Sequence, residues 1–387
     1  MELTIGKQEL IKALGRVQGI LEKTGDSILS QVKLEAYNSS MTITASGSQS
    51  ISIIATYDDT VQVIEEGSLC VKGNRLFNIS RALADNATTL KSSQGESNSQ
   101  TPQLQVKNGK AKFKVVECKR AEEYPPIGSV DVFTKITIKN DDLKRMLDET
   151  SFSIASNERP GLNGTRLEVV NDGSETFLRM VTSDGNRLSI SDAPFEGLFD
   201  SEIDLIFKNT LLPKKAMMEI RKICDEGEDD WFVSFGEREA VFTKDNITVN
   251  IAMISGQFPE YQQLLKGMTT HNKAILSRKR LIDSFRRVSI FVSKSNQSVK
   301  FSFSTDDKLL LEAKNPDAGS FEEALGIDFE GIDIQFAFNL SFFNEVLSAL
   351  NSEEIVLNLG SNESDACLIT VPDRGNCKFV IMPMKMT

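Results

Sequence analysis

Histidine and tryptophan are nearly missing from this 387-residue chain, which holds one of each, His271 and Trp231. His271 lies in a polar stretch. A lone histidine there is expected on the surface and not in a catalytic role, because acid–base work and metal binding need partners nearby. Cysteine is sparse too. Cys70, Cys118, Cys224, Cys367 and Cys377 are odd in number, scattered, and form no Cys-x-x-Cys pair. This argues against a disulfide framework and for reduced structural thiols, so a cytoplasmic protein is expected. No apolar run approaches the roughly 18 residues of a membrane span, and the opening MELTIGKQEL has no apolar stretch long enough for a signal peptide. The chain also lacks a Gly-x4-Gly-Lys-Ser/Thr loop, a dinucleotide fingerprint and a Gly-x-Ser-x-Gly elbow. The acid-rich segment Asp225 to Asp230 lacks the spacing of a calcium loop. No catalytic residue, metal or cofactor is therefore expected. A hydrolase working through paired carboxylates would need two close acids in a cleft, and no spacing picks such a pair.

Positive charge is the minority sign. Lys and Arg number 44 against 55 Asp and Glu, for a net charge of −11. Such a chain attracts a phosphate backbone only if its bases are gathered on one surface.

The pattern that is present is repetitive. Short alternating runs such as Met41-Thr42-Ile43-Thr44, Gln103-Leu104-Gln105-Val106, Ile203-Asp204-Leu205-Ile206 and Ile355-Val356-Leu357-Asn358 predict antiparallel strands. Turn dipeptides at Asn108-Gly109, Asp172-Gly173 and Asp184-Gly185 punctuate them. Six segments instead show apolar residues three or four apart and predict helices. They begin near Gln8, Asn74, Asn140, Pro213, Ser277 and Ser341, at intervals of roughly 65 to 75 residues. Three strand-then-proline endings, Glu123-Tyr124-Pro125, Gln257-Phe258-Pro259 and Ile381-Met382-Pro383, fall at one-third, two-thirds and the end of the chain. Regular spacing of like units marks internal repetition. The reading is an α+β protein of three copies of one module, 1–128, 129–257 and 258–387, each with two helices and about eight strands. The polar stretch Ser92 to Thr101 is expected to be a hairpin loop.

Base residues concentrate in the helices. The fifth carries Arg278, Lys279, Arg280, Arg286 and Arg287 against Asp283; the fourth carries Lys214, Lys215, Arg221 and Lys222 against Glu219. The second has Arg75 and Arg81, and the first Lys7, Lys12, Arg16 and Lys23. Two readings stay open on this ground alone: Lys and Arg are good helix formers that decorate solvated faces, or the helices line a surface that tracks phosphates without reading bases.

Several motifs together resemble one family, the bacterial beta sliding clamp of the replicative DNA polymerase. They are Leu162-Asn163-Gly164, Val181-Thr182-Ser183-Asp184-Gly185-Asn186-Arg187-Leu188, Gly256-Gln257-Phe258-Pro259-Glu260-Tyr261, Phe338-Asn339-Leu340-Ser341-Phe342 and Val380-Ile381-Met382-Pro383-Met384-Lys385. Their order and spacing cover essentially the whole chain. The resemblance implies three clamp modules per chain, forming half of a closed ring that a head-to-tail homodimer completes around double-stranded DNA. It implies a non-enzymatic processivity factor. Its partners would be the replicative polymerase, the clamp loader and other replication and repair proteins, with no membrane. The rival class, a repetitive β-rich scaffold with no nucleic-acid role, predicts a monomer.

The resemblance also implies sites. A peptide-binding pocket would comprise Leu162, Ser183, Gly185, Asn186, Arg187, Leu188, Pro259, Leu264, Asn339, Phe342, Val380, Ile381, Met382, Pro383 and Met384. Methionines and aliphatics suit an adaptable cleft, and Arg187 and Asn339 would orient a ligand by hydrogen bonds. The dimer interface would pair Phe113 and Val115 on an edge strand with Ile290 and Phe291. Arg75, Arg81, Arg159, Lys214, Lys215, Arg221, Arg278, Lys279 and Arg280 would face DNA. Arg159 either does so or shapes a turn with Pro160. The chain departs from the family where Asn186 replaces a common His, where Gln263 replaces a common Arg, and in the loop Lys23-Thr24-Gly25-Asp26-Ser27, which lacks the usual Arg-Pro.

Overall fold

The computed structural model describes all residues except 24, 26, 49–50, 95–100, 129–133, 157–158, 160, 172, 174, 196–210, 255, 269, 294–295, 373 and 386–387. The expected strand at Ile203 to Ile206 and the turn residue Asp172 lie outside the described residues. Contacts divide the chain into two compact units, Met1–Asp141 with Lys215–Ile254, and Asp142–Lys214 with Ser255–Thr387.

All six periodic segments are helical: α1 (Lys7–Gln18), α2 (Gly73–Ala82), α3 (Asn140–Thr150), α4 (Lys214–Ile223), α6 (Arg278–Val288) and α7 (Leu340–Ala349). The additional helix α5 (Tyr261–Gly267) is too short to display a period in sequence. Side chains fix some of the starts. Ser277 accepts from the N–H of Arg280 at the head of α6, and Asn339 accepts from Ser341 at the head of α7. Each apolar stripe is buried, as with Leu10, Ala13, Leu14 and Val17 on α1.

The remaining elements are antiparallel strands. The first unit holds a five-stranded and a nine-stranded sheet; the second holds a nine-stranded and a four-stranded sheet. Alternation decides which face is inside. In Ile51–Tyr57 every second residue is buried, and the same holds for Ile247–Ala252. These two strands pair, Val249 opposite Ile53, and so join the first third of the chain to the middle third. In the second unit Arg187–Pro194 pairs with Arg374–Ile381, Ile190 opposite Lys378, and joins the middle third to the last. The middle third therefore supplies strands to both units.

The proline markers are real positions with mixed structure. Pro125 follows the short 3-10 turn Ala121–Glu123 and Pro259 follows an irregular stretch, so only Pro383 comes within two residues of a strand's end. Strands Ala87–Gln94 and Pro102–Asn108 pair, so Ser92 to Gln94 of the expected hairpin loop are strand, while 95–100 lie outside the described residues.

The core of the second unit is rich in phenylalanine. Phe301, Phe338 and Phe343 meet with ring centroids 5.0–5.3 Å apart. Phenylalanine has no polar atom to satisfy, so such a cluster fills space without a desolvation penalty. The first unit instead buries a polar knot. Asn140 Oδ1 accepts from Trp231 Nε1 (3.1 Å) and from Lys244 Nζ (2.7 Å), while its Nδ2 donates to the Cys224 carbonyl (3.0 Å). Lys244 is 1% exposed and also donates to the Gly227 carbonyl at 2.9 Å. Asn140→Ala strips one acceptor from a buried ammonium and from an indole N–H. We expect a loss of about 3 kcal/mol in unfolding free energy, measured by urea denaturation, against under about 0.5 kcal/mol for the exposed control Asp229→Ala.

Candidate functional site

The expected pocket residues all belong to the second unit, and the turn from Ser183 to Leu188 is built around its own side chains. Asp184 Oδ1 accepts from the backbone N–H of Asn186 (2.9 Å) and of Arg187 (3.2 Å). Ser183 Oγ accepts from the Gly185 N–H (3.1 Å) and donates to the Arg187 carbonyl (2.7 Å). Gly185 has φ +91°, a conformation that disfavours any side chain, and a Cβ there would lie 3.1 Å from Arg159 Nη1 and 3.9 Å from Leu162 Cδ1. Arg159 and Leu162 are thus brought against the turn. Arg159 is exposed and donates to the Asp184 carbonyl at 3.1 Å; its neighbour Pro160 lies outside the described residues.

Arg187 does not have the role its position suggests. Its guanidinium donates to Asp184 Oδ2 (2.9 Å), to the Phe152 carbonyl (2.6 Å) and to Glu345, and lies 4.4 Å from the Phe342 ring centroid. With every nitrogen engaged and the side chain 8% exposed, it is a buried platform that holds the Phe342 ring, not a donor waiting for a ligand. Asn339 is likewise committed in part, since its Oδ1 caps α7 at Ser341 (2.9 Å).

The chain's last described segment completes the cluster. The Met382 N–H donates to the Asn186 carbonyl (2.9 Å) and the Met384 N–H to the Ala337 carbonyl (2.7 Å). Met382 and Met384 remain 38% and 36% exposed and Leu264 41%, while Pro383 is half-buried and Pro259 exposed. A Cβ on Gly161 would meet the Gln257 carbonyl at 2.2 Å, so the stretch before Pro259 packs on the residue before Leu162. Three expected pocket residues need correction. Leu188, Val380 and Ile381 are at most 4% exposed and lie in the paired strands, Leu188 opposite Val380 and Arg187 opposite Ile381. They are sheet core. Phe152 and Glu345 belong to the site though no local pattern marks them, and Tyr261, the last residue of the Gly256 to Tyr261 motif, belongs with them. Tyr261, 3% exposed, donates its hydroxyl to Glu168 and so anchors α5.

The two expected interface patches lie on or beside sheet edges. Ala111–Val115 is the outer strand of the five-stranded sheet, with Lys112 and Lys114 exposed and Phe113 half-buried. Val115 is only 4% exposed, because it points into its own core, so its side chain has little surface left to offer a partner. Ile290 is 72% exposed, whereas Phe291 is partly buried with its ring 6.1 Å from that of Phe321. Phe321 belongs to Gly319–Gly326, the outer strand of the four-stranded sheet.

The basic residues separate into two groups. Lys214 Nζ donates to the Ile154 carbonyl (3.0 Å) and Lys215 Nζ to that of Ile20 (3.5 Å), just beyond α1. Arg278 donates to the carbonyls of Leu347 and Ser352, both 2.7 Å, at the C-terminal end of α7. These cations serve helix ends and neighbouring carbonyls, so Arg278 in particular is corrected from a DNA-facing to a capping residue. Arg221 pairs with Asp225 (2.9 Å) and Arg75 with Glu117 (2.8 Å), while the Arg81 guanidinium lies over Phe77. Lys279 and Arg280 are exposed with no recorded partner among the described residues. Thr24 and Asp26 of the loop after α1 lie outside those residues.

No group of three metal-ligating side chains occurs among the described residues, and no helix there is long and apolar enough to cross a membrane. All five cysteines are buried. Burial pushes the Cys70 thiol up to about 12 and those of Cys118, Cys224 and Cys377 to about 11, far from a nucleophile's range.

Three family models match in chain order: the N-terminal domain of the DNA polymerase III beta subunit over residues 1–128, its central domain over 137–260 and its C-terminal domain over 268–385. The chain is 27% identical to the beta sliding clamp of Chlamydia pneumoniae, covering 100% of this chain and 99% of the relative. It is 26% identical to that of Vibrio cholerae, covering 100% of both. Among solved structures, the Caulobacter crescentus beta sliding clamp superposes with a TM-score of 0.89 at 25% identity, covering 100% of this chain and 99% of the other. The sliding clamp of Bartonella birtlesii, bound to griselimycin, gives 0.89 at 26% identity over 100% of both chains.

The two groups of bases should separate experimentally. Arg278→Ala should cost about 1–3 kcal/mol of stability by urea denaturation and leave the salt dependence of duplex binding unchanged. Lys279→Ala with Arg280→Ala should do the reverse: unfolding shifts by under about 0.5 kcal/mol, and the slope of log K against log salt falls by about 1 to 2.

Proposed function

The chain belongs to the DNA polymerase III beta-subunit family, and we propose that two copies join head to tail into a ring that encircles duplex DNA and slides on it. The ring tethers the replicative polymerase, recruits other replication and repair proteins through the pocket at Phe342, Met382 and Met384, and is opened by a clamp loader. It performs no catalysis and works in the cytoplasm. The three-module division, 1–128, 129–257 and 258–387, belongs to this reading.

One observation carries it. Each third of the chain carries two strands of unlike position, and both junctions within the chain use one of each. One is the third strand of the four or so that follow the module's first helix region: Ile51–Tyr57, Arg187–Pro194 and Gly319–Gly326. The other closes the module's second half: Ala111–Val115, Ile247–Ala252 and Arg374–Ile381. Ile51–Tyr57 pairs with Ile247–Ala252, and Arg187–Pro194 pairs with Arg374–Ile381. That leaves Gly319–Gly326 and Ala111–Val115, each at the outside of its sheet. A junction of the kind used twice within the chain would join these two strands between copies, and two such junctions close a ring. Lys112 of Ala111–Val115 and the exposed Glu322 of the other strand suit this pairing, and Ile290 adds an apolar contact.

The rival reading, a monomeric scaffold, is separated by sedimentation and by topology. Loaded onto nicked circular DNA, the protein should stay bound until the circle is linearised and then run off the ends; retention on linear DNA would contradict encirclement. Ile290→Ala should weaken the dimer roughly 10- to 100-fold, as expected for an exposed aliphatic anchor worth about 1.5–3 kcal/mol, and adding Phe291→Ala should give monomers at micromolar concentration. Removing residues 382–387 should abolish stimulation of the polymerase with the dimer intact; loss of the dimer with normal stimulation would refute the pocket assignment.

A further inference from the structure

One sheet edge lies beside the pocket and is scarcely used. Strand Ile334–Asn339 pairs on one side with Ser298–Ser304 and forms the margin of the four-stranded sheet. On its other side, among the described residues, it pairs only with Met384, whose N–H donates to the Ala337 carbonyl. Backbone groups alternate along a strand. If Ala337 points outward, so do Gln335 and Asn339; the Asn339 carbonyl, at the N-cap of α7, is used by the helix, and no partner for the N–H and C=O of Gln335 occurs among the described residues. Within the same chain an equivalent edge is covered. The strand Gly67–Lys72, which like Ile334–Asn339 leads directly into its module's second helix, pairs outward with Cys118–Lys119.

The uncovered end of this edge opens into a cleft of about 770 Å³. Its lining includes Gln335, the 59% exposed Ile332, the acids Asp333 and Glu363, and Ser302, whose buried Oγ has no hydrogen-bond partner. No basic side chain lines it. At about 3.4 Å per residue, Gln335 lies roughly 13 Å along the strand from Asn339 at the pocket, a span of four residues for an extended chain.

We propose that this edge is a strand-addition site, on which a partner peptide seated in the pocket continues as an extended chain past Ala337 and Gln335 into the cleft, placing a basic side chain near Asp333 and Glu363. The proposal rests on the pocket reading above and adds to it. The occupant is an extended peptide because the free groups are backbone donors and acceptors, which give affinity without regard to sequence. It is basic at its far end because the cleft is acidic. It runs in the direction of the Met382–Met384 segment, antiparallel to Ile334–Asn339, so the added residues lie C-terminal to the pocket-bound ones. Displacing the single Met384 rung exchanges one backbone bond for several.

The test uses full-length protein and two labelled synthetic peptides read by fluorescence anisotropy. One carries only a short apolar pocket sequence, and the other extends it at the C-terminus by four residues ending in lysine. The extension should tighten binding about tenfold, and a version ending in glutamate should not. Gln335→Pro, which removes an outward N–H, and Glu363→Lys, in an exposed loop, should each erase the gain and leave the short peptide's affinity unchanged. Glu363→Lys decides the matter alone if the proline variant does not fold. A gain that is missing in the parent protein, or that survives both changes, overturns the strand-addition site while the pocket stands. If the short peptide itself fails to bind, the pocket reading falls and this inference with it. A gain that emerges only after residues 386–387 are deleted identifies the chain's own end as the occupant and overturns the proposal of a partner.

Discussion

A strand at the margin of a sheet presents a row of unsatisfied N–H and C=O groups, and this architecture is organised by how each margin is met. Between the first and middle thirds the answer is Ile51–Tyr57 against Ile247–Ala252; between the middle and last it is Arg187–Pro194 against Arg374–Ile381. The same pairing that builds a sheet therefore also links repeats. Helices could not do this, because each satisfies its own backbone. The repeats are consequently joined by hydrogen-bonded ladders, with directional geometry, and not by apolar contact alone. Among the margins that remain, Ala111–Val115, Gly319–Gly326 and Ile334–Asn339 are places where such a molecule has backbone left to bind with.

Much of this was legible in the sequence because it depends on period. All six helices announced themselves through apolar spacing and even intervals, since an amphipathic helix must bury one stripe whatever it packs on. Strand pairing was not legible, because partners such as Ile53 and Val249 lie far apart in the chain. The same distance hid the site's supports. Arg187 reads as a free donor until Glu345 arrives from 158 residues away, and nothing near Tyr261 in the chain announces Glu168, which arrives from 93 away. Leu188, Val380 and Ile381 show a further limit. An apolar run that forms a buried strand and one that walls a cleft have the same composition, and only exposure separates them from Met382 and Met384.

Charge follows a parallel division. Sequence places bases in helices, but an element's composition does not say what its side chains reach. Lys215 and Arg278 stand in the first turns of α4 and α6, and each reaches carbonyls at or just beyond the end of another helix, α1 and α7 respectively. A cation there neutralises the exposed carbonyls and the negative end of the helix dipole. Such charges are structural, and counting them as ligand contacts overstates how strongly the helices attract an anion.

For the ring proposed above, a strongly acidic chain is no obstacle. Each phosphate a protein neutralises tightly releases counterions and adds affinity, but it also adds a barrier to moving one step along the duplex. A ring held by topology needs no such affinity. In the proposed ring, exposed side chains such as Lys279 and Arg280 would centre the duplex without locking it, while Arg75 and Arg221 are already paired with Glu117 and Asp225. The acidic excess, which first argues against any nucleic-acid role, would then suit a sliding contact: enough attraction to guide, too little to hold.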